Sequence, residues 1–320
     1  MKRTVLFSTA VACLAWVVPA FAGSVILPHR VIDCRTRTVI DFEGLLARCS
    51  RADVVALGEN HDDPATHLVE LALLEGLNRH NRNVVLSMEM FERDVQEYLD
   101  RYLEGEMTED EFLGISRPWE NYETDYRPLV EFARNNSLPV VASNVPRRLA
   151  GQVARGGIEG TEFAEDDLGW VSSVFEAPED AYWEAFAATM HMPGMERMAV
   201  TEENIRWYYE AQVLKDETMA ESIARAATAS PGALVYHLTG SFHVQDYLGT
   251  FSRVRRDLPE ADCVSILAIP VDELLSVPPQ DTPSADYWIL VLAPPGEEVE
   301  GPEVMPDSDR LETEDGEQEE

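Results

Sequence analysis

Two short stretches combine residue types that do chemistry. Val54-Val55-Ala56-Leu57 is followed by Gly58-Glu59-Asn60-His61, so a carboxylate, an amide and an imidazole stand where an apolar run stops. Leu238-Thr239-Gly240-Ser241-Phe242-His243 repeats the order glycine, two residues, histidine. Glu89 follows a third apolar run, and Asn144 and Arg147 follow a fourth in SNVPRR. Two imidazoles with carboxylates suit a first-row divalent ion such as zinc, manganese or iron. His61, His243, Glu59 and Glu89 are therefore the expected ligands. In an enzyme reading, Glu59 or Glu89 is the general base on a bound water, and Arg147 steadies the developing oxyanion. Each glycine is read as permitting a tight turn that aims its histidine.

Each piece also has a plain structural reading. Glu89 suits the first turn of a helix, where the dipole favours an acid. Asn144 suits a helix N-cap. A lone histidine at a strand end more often hydrogen-bonds than ligates. Their gathering behind four separate apolar runs argues for one shared polar site.

The elements that must position these residues alternate between β and α. Strands are expected at Ala52–Leu57, Asn83–Met88, Leu138–Ser143, Ala233–Leu238, Cys263–Ile269 and Tyr287–Leu292, after an N-terminal strand and short helix within residues 24–50. Helices are expected at Pro64–Arg79, Phe91–Glu104, Thr108–Leu113, Arg127–Asn136, Pro146–Ala154 and Phe242–Arg256. Asp63 is the expected cap of the first of these, ahead of its proline. Residues 156–178 read as a loop or partly ordered insertion. A helical block over about 179–229 reads as a lid. Such alternation implies an α/β fold, a largely parallel sheet flanked by helices. Ligands of such sheets sit beyond the carboxyl ends of the strands, which is where the chemical residues fall. On the long helix of the lid, Tyr209, Gln212 and Asp216 share a face. Gln212 and Asp216 are expected to reach the site, with Asn144, as binding residues.

The ends of the chain differ from its middle. Lys2-Arg3, an apolar stretch from Val5 to Val18 and Ala20-Phe21-Ala22 form a signal-peptide pattern, cut after Ala22. A membrane anchor is the alternative, on a stretch short for a span. Cys13 lies inside the apolar stretch, so membrane association is expected only if that cysteine carries a lipid. Residues 23–293 form the α/β domain, and residues 294–320 read as a disordered acidic tail. Export permits disulfides. Cys34–Cys49 is the local pair, with Cys263 as a small buried residue on a strand. The formal charge of −34, with lysine only at Lys2 and Lys215, repels phosphate backbones and excludes nucleic acid as a partner.

At VVALGENHDDPATHLVELALL, VVLSMEMFERDVQ, YRPLVEFARNNSLPVVASNVPR, AQVLKDETMA and LTGSFHVQDYLG the sequence resembles the ChaN-like haem-binding uptake family of the Tiki superfamily. These pieces span about residues 52–250 in order. The resemblance implies an α/β fold with a helical insertion, an exported protein in the periplasm or envelope, and haem binding linked to iron acquisition. It carries over the polar set Glu59, His61, Glu89, Asn144, Arg147, Gln212, Asp216 and His243. The wider superfamily resembles metal-dependent hydrolases: Tiki and TraB relatives carry paired G-x-x-H motifs, and erythromycin esterases are distant kin. The alternative function is therefore a hydrolase built on the two motifs. The resemblance implies a tyrosine as haem ligand, left open among Tyr122, Tyr126, Tyr182, Tyr208 and Tyr209. The sequence has no C-x-x-C-H attachment motif. Oligomeric state is left open, a homodimer included. For export, N-terminal sequencing of protein from the envelope fraction should read from Gly23. An intact Met1 there would overturn the expectation.

Overall fold

The computed structural model describes residues 27–80, 83–190, 201–275, 282 and 284–293. The signal-peptide pattern, residues 191–200 of the helical block and the acidic tail lie outside the described residues. The core is an eight-stranded sheet in the order β2-β1-β8-β7-β3-β6-β4-β5. The strands are β1 (His29–Asp33), β2 (Thr38–Ile40), β3 (Val54–Glu59), β4 (Val84–Glu92), β5 (Val140–Asn144), β6 (Leu234–Gly240), β7 (Cys263–Val271) and β8 (Tyr287–Leu292). From β8 to β5 every neighbouring pair is parallel. The β1–β2 hairpin joins β8 antiparallel at one edge. The expected α/β class is the one found.

The runs of Val, Leu and Ile form strands because both faces of this sheet are covered. Every residue of β3 and of β6 is buried. Val55, Leu57, Leu86, Met88, Tyr236 and Leu238 face one apolar cluster, under α2 (Pro64–His80) and α5 (Arg127–Asn135). Val54, Val85 and Val235 face the other, with Ala220 and Ile223 of α8 (Glu202–Ala229) and Val254 of α9 (Gly249–Asp257). The cap of α2 is as expected: Asp63 accepts from Ala65 N at 3.1 Å and Thr66 Oγ1 at 2.7 Å.

The chain leaves a slot beside β3. It builds β4 and then the outer strand β5, crosses by α6 (Arg147–Gly156), α7 (Ala181–Thr189) and α8, and returns to lay β6 between β3 and β4. That insertion sets the two glycine–histidine motifs on adjacent strands. The helical insertion has two parts. The α7 side chains Tyr182 and Phe186, with Ile205, Tyr209 and Val213 of α8, cover Phe242 and form the lid. The rest of α8 is a sheet-covering helix against β4, β5 and β6, between α6 and α9. Residues 156–178 hold a 3-10 turn at Glu165–Asp167. They are pinned by Arg148 to Asp167 at 2.5 and 2.9 Å and by Glu210 to Ile158 N at 2.8 Å.

Four expectations change. β4 runs on to Glu92 through a register shift between Met88 and Glu92, so Glu89 sits within the strand. Asn144 is likewise the last residue of β5. Phe242–Arg256 is not one helix: 3-10 turns at Ser241–His243 and Gln245–Tyr247 precede α9. Asp246 (φ 56°) and Tyr247 (φ 61°) are left-handed, and Asp246 is tied to Ser284 by bonds of 2.8 and 2.7 Å, which stops the helix from starting earlier. The three described cysteines are free thiols: Cys49 is buried in the core at the end of α1 (Phe42–Cys49), while Cys34, after β1, and Cys263, at the start of β7, are half-buried.

Neither motif glycine has the left-handed backbone of a tight turn; Gly240 has φ −56°. They allow close approach instead. A Cβ on Gly58 would stand 2.8 Å from the Cα of Ser241 and 2.8 Å from Leu267, and one on Gly240 would stand 2.7 Å from His61 Nε2. Each motif's glycine thus makes room for the other motif. Gly58→Ala must move backbone, an overpacking cost of about 1–3 kcal/mol. Thermal melting should show a Tm lower by about 2–4 °C per kcal/mol. An unchanged Tm would show that the strands do not need this approach.

Candidate functional site

Period-two alternation sends Glu59 and Glu89 to opposite faces of the sheet. Glu59 follows Val55 and Leu57 to the α2 face; Glu89 follows Val85 to the α8 face. Two buried clusters result, on either side of the carboxyl ends of β3 and β6.

On the α2 face Glu59 is fully buried. Its Oε1 accepts from Tyr126 OH at 2.6 Å and meets His61 Nδ1 at 2.5 Å. Tyr126 comes from a π-helical turn over Tyr122–Tyr126, an irregularity common at functional sites. His67 and Glu70, one turn apart on α2, are buried beside Glu59. His67 Nδ1 lies 3.0 Å from Glu70 Oε2 and 3.6 Å from Glu59 Oε2. Its Nε2 meets the His61 carbonyl at 2.9 Å, and Asn121 Nδ2 donates to that carbonyl at 2.8 Å. Burial opposes the Glu59 charge, but Glu70, His61 and His67 outweigh it and bring the carboxyl down to about 2. Burial and the Glu59 charge push Glu70 well above the carboxylate range. The His61 ring stands edge-on to Trp119, 4.7 Å between centroids.

On the α8 face His243 is buried with both ring nitrogens engaged. Nδ1 meets Asp216 Oδ1 at 2.6 Å, and Nε2 lies 3.3 Å from Glu89 Oε1 and 3.2 Å from Gln212 Nε2. Asp216 also accepts from Tyr182 OH at 2.6 Å and Thr250 Oγ1 at 2.8 Å. Glu89 accepts from Gly240 N at 2.9 Å and from Thr239 Oγ1. Burial works against the Glu89 charge, yet His243, His61 and Lys215 hold its carboxyl well below the usual range. Burial alone would lower the His243 pKa; Glu89 and Asp216 outweigh it and push it up to about 10.

The four expected metal ligands are therefore split into Glu59 with His61 and Glu89 with His243. Both His243 nitrogens face carboxylates, Nδ1 that of Asp216 and Nε2 that of Glu89. Among the described residues, the group whose ligand atoms all lie within 4.8 Å of one another is Glu59, His67 and Glu70. Gln212 and Asp216 reach His243 as expected, but Tyr209 is a core residue whose hydroxyl donates to the Pro178 carbonyl at 2.8 Å. Asn144 is turned to its own neighbour, Val145 N, at 2.9 Å. Arg147 is half-buried at the start of α6 and makes no ion pair among the described residues. His67 and Glu70 were missed in the sequence, although H-x-x-E at helical spacing was a legible signal. Tyr126 and Tyr182, considered above only as haem ligands, instead donate to Glu59 and Asp216. A cavity of about 360 Å³ lies apart from both clusters, lined by Tyr247, Ser252, Arg255, Arg256 and Leu258 among others.

An α/β sheet with a buried acid–imidazole edge and a helical lid defines the class. The model of one family, described as haem-binding uptake, Tiki superfamily, ChaN, matches residues 45–254. The chain belongs to that family. Its fold is similar to a solved structure titled for cofacial haem binding to ChaN of Campylobacter jejuni, 17% identical, with a TM-score of 0.61 over 82% of this chain and 96% of that one. A mutant of the erythromycin esterase EreC is 14% identical over 83% of each chain with a TM-score of 0.46, too remote to carry an argument. The chloroplastic protein RETICULATA-RELATED 5 of Arabidopsis thaliana is 23% identical over 262 residues, which are 76% of this chain and 35% of that protein. The chain thus spans about a third of the length of that curated relative.

A pH dependence follows from His243. Its folded pKa lies above the ordinary 6.5, so the native state holds the proton more tightly than the unfolded chain. That contribution is complete below pH 6.5 and is lost as pH rises through about 10. Burial lowers the His67 pKa, but Glu70 and Glu59 push it up to about 10 as well, adding a parallel loss. Urea midpoints should fall between pH 6.5 and 10, and His243→Gln should remove about half of that slope. An unchanged slope in His243→Gln would detach the effect from this residue.

Proposed function

We propose that this chain is an exported haem-binding protein of haem or iron uptake. The observation that carries the reading is the family match across residues 45–254; the shared fold supports the architecture alone. Export rests on the signal-peptide pattern of the sequence. Ferric haem takes a hard anionic ligand such as tyrosinate. Tyr126 and Tyr182 do not suit that role: both are buried, both donate to carboxylates, and burial with the neighbouring Glu59 or Asp216 charge pushes each well above the ordinary tyrosine range. Tyr122 and Tyr209 are buried too. Tyr208 is half-buried on α8, between the lid cluster and the cluster under residues 156–178. Of the five candidates it fits a ligand that approaches from solvent.

One observation favours a second reading. The Glu59–His61 pair, 2.5 Å apart, resembles the carboxylate-oriented imidazole of a general base. With Glu89 nearby, it would serve a hydrolase.

Haem titration of the mature protein should give a shifted Soret band and a tyrosinate charge-transfer band, and Tyr208→Phe should abolish the latter. Loss in Tyr247→Phe instead would move the seat to the cavity with Arg255. No Soret shift in the wild type would sink the haem reading. Ester turnover abolished by His61→Ala would then support the second.

A further inference from the structure

His67 raises a question of charge. Its Nε2 faces the His61 carbonyl at 2.9 Å. A carbonyl only accepts, so Nε2 carries a hydrogen. Nδ1 points between Glu70 Oε2 at 3.0 Å and Glu59 Oε2 at 3.6 Å. With Nδ1 protonated the ring itself meets the two carboxyl groups; a divalent cation among the same three atoms would take the place of that proton. Glu59 Oε2 and Glu70 Oε1 are buried and meet no donor group outside the two carboxyls themselves, so a proton shared between them or a bound cation must satisfy them.

We propose that Glu59, His67 and Glu70 form a binding site for a first-row divalent cation, with zinc the ion of choice. Ligand atoms within 4.8 Å of one another can all reach a common centre at about 2.0–2.2 Å with small adjustments. One imidazole and two carboxylates balance the ion's charge. The outer partners are in place: Tyr126 and His61 hold Glu59 Oε1, which turns Oε2 inward, and the His61 carbonyl fixes the His67 tautomer. Three protein ligands leave a position for water. The donors come from the end of β3 and one face of α2, so the ion would tie a strand to its crossover helix. His61 and His243 are not ligands in this site. It is independent of haem.

The test uses the mature, haem-free protein. After chelator treatment and dialysis it is titrated with zinc by calorimetry, with Tm measured in parallel. The expected result is one zinc per chain and a raised Tm. Glu70→Gln keeps the shape of the side chain and should weaken zinc at least tenfold. His243→Gln, outside the site, should leave the affinity unchanged. X-ray absorption of the zinc-loaded wild type needs no variant, and should show one imidazole with oxygen donors. Two imidazoles there, or equal losses in the two variants, would place the ion at the glycine–histidine motifs and overturn the proposal. So would a wild type that takes up no zinc at 100-fold excess, because a proton alone then fills the gap.

Discussion

The close approach of two glycines is the constraint on which the polar edge depends. β6 comes after β3, β4 and β5 in the chain yet lies between β3 and β4, and its turn at Ser241 comes within 2.8 Å of where a Gly58 side chain would stand. Gly240 in turn makes room for the His61 ring, and its amide donates to Glu89 at 2.9 Å. Any larger residue at either place separates the strand ends and with them the acid–imidazole pairs. The glycines matter through the absence of a side chain and not through an unusual backbone angle.

The same edge shows how a parallel sheet divides its chemistry. Glu59 and Glu89 follow apolar strands of similar length, yet one faces α2 and the other α8. Each then finds the imidazole on its own side. His243 is held between Glu89 and Asp216, with Tyr182 and Thr250 completing Asp216. In this arrangement both His243 nitrogens and all four carboxylate oxygens of Glu89 and Asp216 meet a partner within the protein. The α2 side is less complete, since two buried carboxylate oxygens lack partners. Closed networks hold a fold, and open ones are where an added ion or proton gains most.

The lid explains why so few tyrosines remain for a ligand from outside. Tyr182, Phe186, Tyr209 and Phe242 stack into one cluster over the second motif. Their hydroxyls turn inward to Asp216 or a carbonyl, which serves packing and leaves Tyr208 at the margin.

By itself the sequence determined the strand–helix alternation, the parallel sheet, the polar character of one sheet edge and the pairing of Gln212 and Asp216 with the site. These are local patterns: apolar runs, caps such as Asp63, and residues that break an apolar run at its end. It did not determine which carboxylate meets which histidine. β3 and β4 are buried on both faces, so their residues show no alternation from which to read the facing of Glu59 or Glu89. Nor did it show that Asn144 ends β5 turned to its own neighbour, that Phe242–Arg256 breaks at Asp246, or that the described cysteines stay free. Those outcomes rest on contacts between residues far apart in the chain, such as Asp246 with Ser284 and Glu59 with Tyr126. Only the order in which the strands enter the sheet decided them, because that order sets which side chains become neighbours.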